Sequence, residues 1–328
     1  MGFQSVQSHY YLLVFYYNFI YKTIIMSSII SSIERLKKER QAIILAHNYQ
    51  HPEVQDIADY VGDSLGLAQT AAKTDAKVII FCGVHFMAET AAILCPDKTV
   101  LMPDPQAGCP MANMITPREL RNLRAQYPDA VVVTYVNSSA AIKAESDYCC
   151  TSSNAIKVVE KIPKEKRVIF IPDQHLGHYV QTQTKRDNMV LWRGYCPTHR
   201  RILPEDISKK KQLYPAALVV VHPECATEIV NMADQVASTS GILKYCRESK
   251  NETFIIGTEI GLIHRLKKEN PDKTFIAASD LADCPNMKLN TPEKILWSLE
   301  DMVYKTTVPE DIAKLAMKSI RKMLEITG

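Results

Sequence analysis

Apolar residues along this chain fall into short, unbroken runs. AIILA at 42–46, AVVVTY at 130–135 and ALVVV at 217–221 form one set. VIIF at 78–81, VIFI at 168–171 and FII at 254–256 form a second, and TVLM at 99–102, MVLW at 189–192 and TFIA at 274–277 a third. Runs this short, apolar at consecutive positions and bounded by turn or polar residues, predict strands covered on both faces. Helical patterns separate them, so the chain reads as βαβ units with parallel sheets. Each set recurs at steps of about 85 to 90 residues, the mark of an internal repeat. Three strands per unit and three units predict an α/β protein: three similar αβα (three-layer, parallel-sheet) domains related by pseudo-threefold symmetry. The expected domains are 27–111 joined by C-terminal helices in 287–328, then 112–197, then 198–286.

Residues 1–26 stand apart from the repeat. YYLLVFYYNFIY at 10–21 is twelve residues long, short of the roughly 20 that span a bilayer. No Lys or Arg precedes it and no small-residue cleavage site follows, so it is a poor signal peptide. After Met26 a helix is predicted, with Ser31 and Glu34 read as its capping box. Translation is therefore expected to start at or near Met26, and residues 1–26 to lie outside the fold.

The repeat also carries reactive groups. A Cys-Pro dipeptide follows the third strand of every unit, at Cys109-Pro110, Cys196-Pro197 and Cys284-Pro285, in steps of 87 and 88 residues. One such cysteine alone is ordinarily a small buried hydrophobe. Three at the same place in three repeats point to a shared function, because ligand sites of parallel α/β units lie at the carboxyl ends of the strands. If the units face one axis, the thiols converge on it. Ser64, Ser152 and Ser240 recur at steps of 88, each opening a helical pattern. As N-caps they need no function, but three helix starts beside a cysteine axis would seat carboxylates or phosphate. The first strand of each unit runs into His47-Asn48-Tyr49, Tyr135-Val136-Asn137 and His222-Pro223-Glu224. A single histidine there is commonly structural; His, Tyr and Glu at equivalent ends predict an acid–base cluster.

Composition and charge narrow the partners. Of 328 residues, 46% are hydrophobic and 23% charged, ordinary values for a globular chain and incompatible with disorder. Lys and Arg number 39 against 36 Asp and Glu, a net +3, with no long basic tract, so no nucleic-acid partner is expected. No membrane partner is expected either. The nine cysteines include no CxxC pair, which argues against zinc ribbons and thioredoxin-type sites. In a chain without a secretion signal they read as reduced and cytoplasmic. Three thiolates leave two options: zinc completed by water or by His47, His199 or His222, or a [4Fe-4S] cluster with one iron lacking a protein ligand. Spacing alone does not choose between them.

Several strings nevertheless resemble the quinolinate synthase family. They are ILAHNYQHPEVQDIADYVGDSLGLAQ (44–69), FCGVHFMAETAAIL (81–94), MPDPQAGCPMA (102–112), YVNSSAAIKA (135–144), WRGYCPTHRRI (192–202), VHPEC (221–225) and ASTSG (237–241). The match that these strings belong to runs in order from about residue 33 to the C-terminus. The resemblance implies three αβα domains around a central [4Fe-4S] cluster held by Cys109, Cys196 and Cys284, which selects iron–sulfur over zinc. It implies a condensing and dehydrating enzyme of NAD biosynthesis, of transferase or lyase type. Its substrates would be iminoaspartate and dihydroxyacetone phosphate, giving quinolinate with loss of phosphate and two waters, the open iron acting as Lewis acid. An iminoaspartate-producing enzyme would be its functional partner. Some members of the family carry a CxxCxxC near the last ligand; here Asn286 and Met287 follow Pro285, so the chain resembles the shorter type.

By the same resemblance, Tyr49, Glu224 and His222 are the catalytic residues, with Tyr49 and Glu224 as proton carriers. A nearby cationic centre would shift Tyr49 toward ionisation. His47, Ser64, Tyr135, Asn137, Ser152, Ser238 and Thr239 are substrate-binding residues, Thr239 replacing the Ser240 of the strict register. His199, in CPTH beside a ligand, would give secondary support. Cys82 and Cys246 read as buried packing, Cys225 as the sequence neighbour of Glu224 without a place in the site, and Lys209–Lys211 as a solvated helix face.

Overall fold

The structure, a computed structural model, describes residues 25–326; the apolar run at 10–21 lies outside the described residues. A first helix, α1 (25–40), begins before Ser31. The expected capping box is therefore absent: Ser31 lies inside the helix, and its hydroxyl donates back to the Ser27 carbonyl (2.9 Å). A serine within a helix satisfies its own side chain against the preceding turn instead of capping.

Three sheets follow, each of four parallel strands. The first contains β1 (Ala42–His47), β2 (Tyr60–Gly62), β3 (Val78–Cys82) and β4 (Thr99–Leu101). The second contains β5 (Val131–Tyr135), β6 (Tyr148–Cys150), β7 (Val168–Ile171) and β8 (Met189–Leu191). The third contains β9 (Leu218–Val221), β10 (Gln235–Val236), β11 (Thr253–Gly257) and β12 (Thr274–Ala277). Spatial order is the same in all three: second, first, third, fourth strand. The nine predicted strands are all present. Sequence reading missed the second strand of each unit, because β2, β6 and β10 are two- or three-residue edge strands with too few apolar positions to show a period.

Crossover helices cover the sheets. They are α2 (Pro52–Ile57), α3 (Ser64–Lys73) and α4 (His85–Leu94) in the first unit; α6 (Ala140–Ala144), α7 (Ala155–Glu160) and α8 (Gln174–Thr184), led by α5 (Pro117–Gln126), in the second. In the third they are α10 (Thr227–Asn231), α11 (Thr239–Glu248) and α12 (Leu262–Glu269), led by α9 (Pro204–Leu213). Of the central strands, β3 and β7 are buried at every position and the others at all but their first one or two, and one cluster of buried side chains extends through all three units.

The C-terminal helices divide between domains. In α13 (Pro292–Asp301), Ile295 and Leu299 pack with Ile33 and Ile44 of the first domain. The last helix, α14 (Glu310–Glu325), was expected there too but packs chiefly on α6 and β6 of the second domain. Its Ser319 hydroxyl donates to the Lys143 carbonyl (2.7 Å), and Asn154 Nδ2 donates to the carbonyls of Met323 and Ile326. An amphipathic helix shows which face it buries but not which partner receives it.

Candidate active site

Within each sheet the chain turns in opposite directions from its first strand, so the crevice at the carboxyl ends of the first and third strands is the topological switch point. Both strand ends carry polar residues. Side chains alternate across a strand and its extension, which places residues two apart on the same side: His47 with Tyr49, Tyr135 with Asn137, His222 with Glu224. The imidazoles are fixed by a local contact repeated in two domains. His47 Nδ1 accepts the Tyr49 backbone N–H (3.2 Å) and His222 Nδ1 accepts that of Glu224 (3.3 Å). This hydrogen-bond pattern assigns the ring proton to Nε2 in both. Burial pushes both imidazoles down, His47 to about 4 and His222 to about 3, so each is neutral at pH 7 and presents an N–H donor. His222 Nε2 donates to Ser152 Oγ (3.1 Å).

His47, Tyr49, Tyr135, His222 and Glu224 line an inner cavity of about 20 Å³ with Ser64, Thr151, Ser152, Asp63 and Thr239, whereas Asn137 stands behind Glu224 and borders neither this cavity nor the outer one beside it. Ser64 and Thr239 are the first residues of α3 and α11, not their caps. The caps are Asp63, which accepts from the Gly66 N–H, and Ser238, which accepts from the Gly241 N–H. Capping thus leaves the hydroxyls of Ser64 and Thr239 to face the cavity beside the positive end of each helix dipole. It also explains the register: Thr239, not Ser240, corresponds to Ser64. Ser238 is spent on its cap and does not line the cavity. The expected cap at Ser152 is absent as well, because α7 starts at Ala155 after Asn154.

An outer cavity of about 150 Å³ adjoins this one, and Tyr49 and Glu224 line both. Cys109, Cys196 and Cys284, one from each domain, border the outer cavity. Each Cys-Pro leads into a short 3₁₀ turn, Met111–Asn113, His199–Arg201 or Met287–Leu289. Backbone N–H groups of these turns face the sulfurs: those of Met111 and Ala112 reach Cys109, that of His199 reaches Cys196, and those of Asn286 and Met287 reach Cys284. Burial outweighs these donors and pushes every thiol up, Cys109 to about 12. Among the described residues, the ligand atoms that gather within 4.8 Å are those of Cys196, His199 and Glu224, and not the three sulfurs together. A single ion bound at roughly 2.3 Å by three thiolates needs them within about 4 Å of each other.

Glu224 is the electrostatic centre of the site. Burial alone would raise its carboxyl, but His199 2.8 Å away, His222 and the Tyr135 hydroxyl outweigh it and hold it down, to about 2. Asn137 Nδ2 donates to Glu224 Oε1 over a long 3.4 Å, while Asn137 Oδ1 is buried without a partner. Burial and the Glu224 charge push the phenols of Tyr49 and Tyr135 well above the ordinary tyrosine range. The expected shift of Tyr49 toward ionisation is not supplied by the protein's own groups, which hold it protonated.

Cys225 turns away from the site: its thiol donates to the Gly257 carbonyl (3.3 Å), and it borders a separate crevice of about 420 Å³ between α8 and α10. Cys82 and Cys246 are buried, and all nine cysteines are free.

Polar residues also stand at the ends of β7 and β11, where no site residue was expected. The same signal, a polar residue directly after an apolar run, marks Asp173 after β7 and Thr258-Glu259 after β11. Asp173 is buried; its Oδ1 caps α8, and its Oδ2 has no partner. Thr258 Oγ1 lies 2.6 Å from Tyr49 Oη and 2.9 Å from His199 Nε2. Buried Glu259 accepts the N–H groups of Cys284 (3.0 Å) and Gly261 (2.7 Å) and pairs with Lys288 (2.9 Å).

Comparison with known proteins adds the chemical context. A family model described as Quinolinate synthetase A protein matches residues 31–325. The chain is 55% identical over 295 residues to a quinolinate synthase of Dehalococcoides mccartyi, covering 90% of this chain and 97% of the relative. It is 56% identical over 294 residues to one of Geotalea uraniireducens (90% and 96% covered). A third, of Methanosarcina barkeri, is 51% identical over 300 residues (92% and 98% covered). Likeness to a solved structure, the E-1-hydroxy-2-methyl-but-2-enyl-4-diphosphate reductase of Plasmodium falciparum, is remote, at 13% identity and a TM-score of 0.27 over 90% of this chain and 94% of that one.

Proposed function

The chain belongs to the quinolinate synthetase A family, and from that premise we propose that it condenses iminoaspartate with dihydroxyacetone phosphate to quinolinate, releasing phosphate and two waters. The observation that carries this reading is the shared wall. Two acid–base side chains, Tyr49 and Glu224, separate a pocket of hydroxyls and neutral imidazoles from a cavity bordered by one thiol per domain.

We assign a [4Fe-4S] cluster to Cys109, Cys196 and Cys284. The donor set fits: three free thiols with amide donors facing sulfur, spread more widely than one ion's coordination shell. When bound, such a cluster supplies an iron without a protein ligand, a Lewis acid for a substrate oxygen. Because burial keeps the thiols protonated, loading them releases protons.

The chain's own residues account for the remaining roles. Nε2–H of His47 and His222, with the hydroxyls of Ser64, Ser152 and Thr239, bind the substrate's carboxylate or phosphate oxygens next to two helix starts. Asn137, expected to bind substrate directly, instead supports the Glu224 carboxylate through Nδ2. Glu224, ionised at rest, is the base and Tyr49, protonated at rest, the acid; His222 donates a hydrogen bond rather than moving a proton. The inner cavity, with room for about one water, excludes solvent from a hydrolysable imine. An imine of this kind must come from oxidation of an amino acid, so an iminoaspartate-producing enzyme is the functional partner. Free cysteines throughout support a cytoplasmic location, and among the described residues no helix is long and apolar enough to cross a membrane.

A second reading, one zinc held by Cys196, His199 and Glu224, is favoured by the closeness of those three ligand atoms. It leaves Cys109 and Cys284 without a task. Anaerobic purification separates the two. About four irons per chain, brown colour and quinolinate formation are expected, with iron and activity both lost in Cys196→Ser. A colourless, zinc-loaded, active enzyme would overturn the cluster assignment.

A further inference from the structure

Thr239 borders the inner cavity at the start of α11, and its hydroxyl is held from another domain. Asn48, fully buried just after β1, donates from Nδ2 to Thr239 Oγ1 (3.1 Å). The Asn48 amide is held in turn. Arg265 on α12 donates from Nη1 to Asn48 Oδ1 (2.8 Å) and to the Val61 carbonyl (2.6 Å). We propose that Asn48 and Arg265 are positioning residues that make Thr239 a hydrogen-bond donor to an anionic oxygen of the substrate. The inference rests on the reading above that Thr239 binds a carboxylate or phosphate oxygen.

Donor and acceptor counts carry the argument. A guanidinium only donates, so the Asn48 atom it meets is the amide oxygen, and the NH₂ group is left to face Thr239. The reversed amide would set NH₂ against guanidinium. An NH₂ group cannot accept, so Thr239 Oγ1 accepts and retains its single proton for another partner. Among the described residues, the Asn48 contact is the one hydrogen bond made by this hydroxyl. Its proton is therefore left for whatever occupies the cavity.

Ser152 is arranged in the same way, its oxygen accepting from His222 Nε2 of the third domain (3.1 Å). Two hydroxyls on the cavity wall thus have their oxygens engaged by a neighbouring domain and their protons free. Asp63, a carboxylate on that wall, already accepts from the Gly66 N–H and the Ser153 hydroxyl. Such a seat suits an oxygen that only accepts, as in a carboxylate or phosphate. A hydroxyl whose orientation is set on folding need not be reoriented when the anion binds.

Asn48 and Arg265 border neither cavity and act through Thr239, so a thermodynamic cycle tests them. Asn48→Asp keeps the shape and the Arg265 contact but replaces a donor by an acceptor, which draws the Thr239 proton away from the cavity. Wild-type enzyme, Asn48→Asp, Thr239→Val and the double variant are assayed anaerobically at matched iron content, with iminoaspartate and dihydroxyacetone phosphate varied separately. Asn48→Asp is expected to raise the KM of one of the two substrates by roughly 10- to 100-fold, the worth of a hydrogen bond to a charged group. The other KM and kcat should stay near wild type, as for an interaction equal in ground and transition states. The substrate whose KM rises tells whether the oxygen is carboxylate or phosphate. Thr239→Val is expected to raise the same KM, Thr239→Ser to leave it near wild type, and Asn48→Asp to add little in the Thr239→Val background. Arg265→Met, which lets the amide rotate without adding a charge, is expected to raise the same KM to a smaller extent, and it decides the matter if Asn48→Asp fails to fold. Single-variant effects that multiply in the double variant overturn the proposal, as do unchanged KM values in Asn48→Asp or in Arg265→Met. A wild-type enzyme that makes no quinolinate under these conditions overturns the functional reading instead.

Discussion

His47 and His222 are held neutral by burial and by one repeated contact, their Nδ1 atoms each accepting the backbone N–H two residues on. This has a consequence for stability. The unfolded chain protonates His47 near pH 6.5, whereas the folded protein resists until about 4. A group with a depressed folded-state pKa lends its full contribution above the unfolded value and loses it as pH falls toward the folded one. Stability is therefore expected to drop from pH 6.5 to about 4, by about 3 kcal/mol for His47 at 1.36 kcal/mol per pKa unit. Glu224, depressed to about 2, adds a further loss only below its ordinary value of about 4.3. Urea midpoints at pH 7.5 and pH 5.0 check this: the gap should narrow in His47→Gln, and a gap as wide as wild type would contradict it. The paired spacing of His47 with Tyr49 and of His222 with Glu224 is legible in the sequence, because a strand end dictates it. The neutral state and tautomer are not, because they depend on burial and on a particular N–H.

Among elements, the link between β7 and β8 positions the Cys196 loop. Asp173 and Gly194 form a parallel bridge just beyond those strands, and the Gln174 N–H donates to the Gly194 carbonyl (2.8 Å). A Cβ on Gly194 would collide with the Pro172 carbonyl oxygen, and a main-chain oxygen cannot move aside as a flexible side chain can. Gly194→Ala is thus expected to displace the segment that carries Cys196, lower stability by about 1–3 kcal/mol and reduce iron per chain by more than half. Metal analysis beside a thermal melt checks it, and full iron content would show that the bridge does not position the ligand. At this scale the unbroken apolar runs named nine strands correctly, and the two- or three-residue edge strands escaped. The caps of α3 and α11 were misread because a hydroxyl at a helix start can sit at the cap or one residue inside it, and only the backbone N–H it meets decides.

Across the whole molecule, the active site depends on ties between domains. Lys288, which follows the third ligand loop, pairs with Glu259 and donates to the Tyr49 carbonyl, so one ammonium joins the third domain to the first. Glu259 in turn holds the Cys284 N–H. Arg265 donates to Asn48 Oδ1 (2.8 Å), and Asn48 Nδ2 donates to Thr239 (3.1 Å), repeating the connection at the inner cavity. Lys288→Met would leave the buried Glu259 carboxylate unpaired, at a cost of about 3–5 kcal/mol. Adding Glu259→Gln should recover part of that loss, since it removes the stranded charge. Urea unfolding of the single and double variants gives the answer, and a double variant less stable than Lys288→Met alone would refute it.

By itself the sequence determined the local order of this protein: which segments are strands, that they repeat three times, and that thiols, imidazoles and carboxylates stand at their carboxyl ends. Those features follow from spacing along the backbone, which folding does not alter. Tertiary structure decided the rest. It set α14 against the second domain, turned the buried Cys225 away from the site, spent Ser238 on a cap, and brought Thr258 between Tyr49 and His199. Each of these depends on contacts between residues far apart in the chain, whose partners are chosen by packing and hydrogen-bond satisfaction.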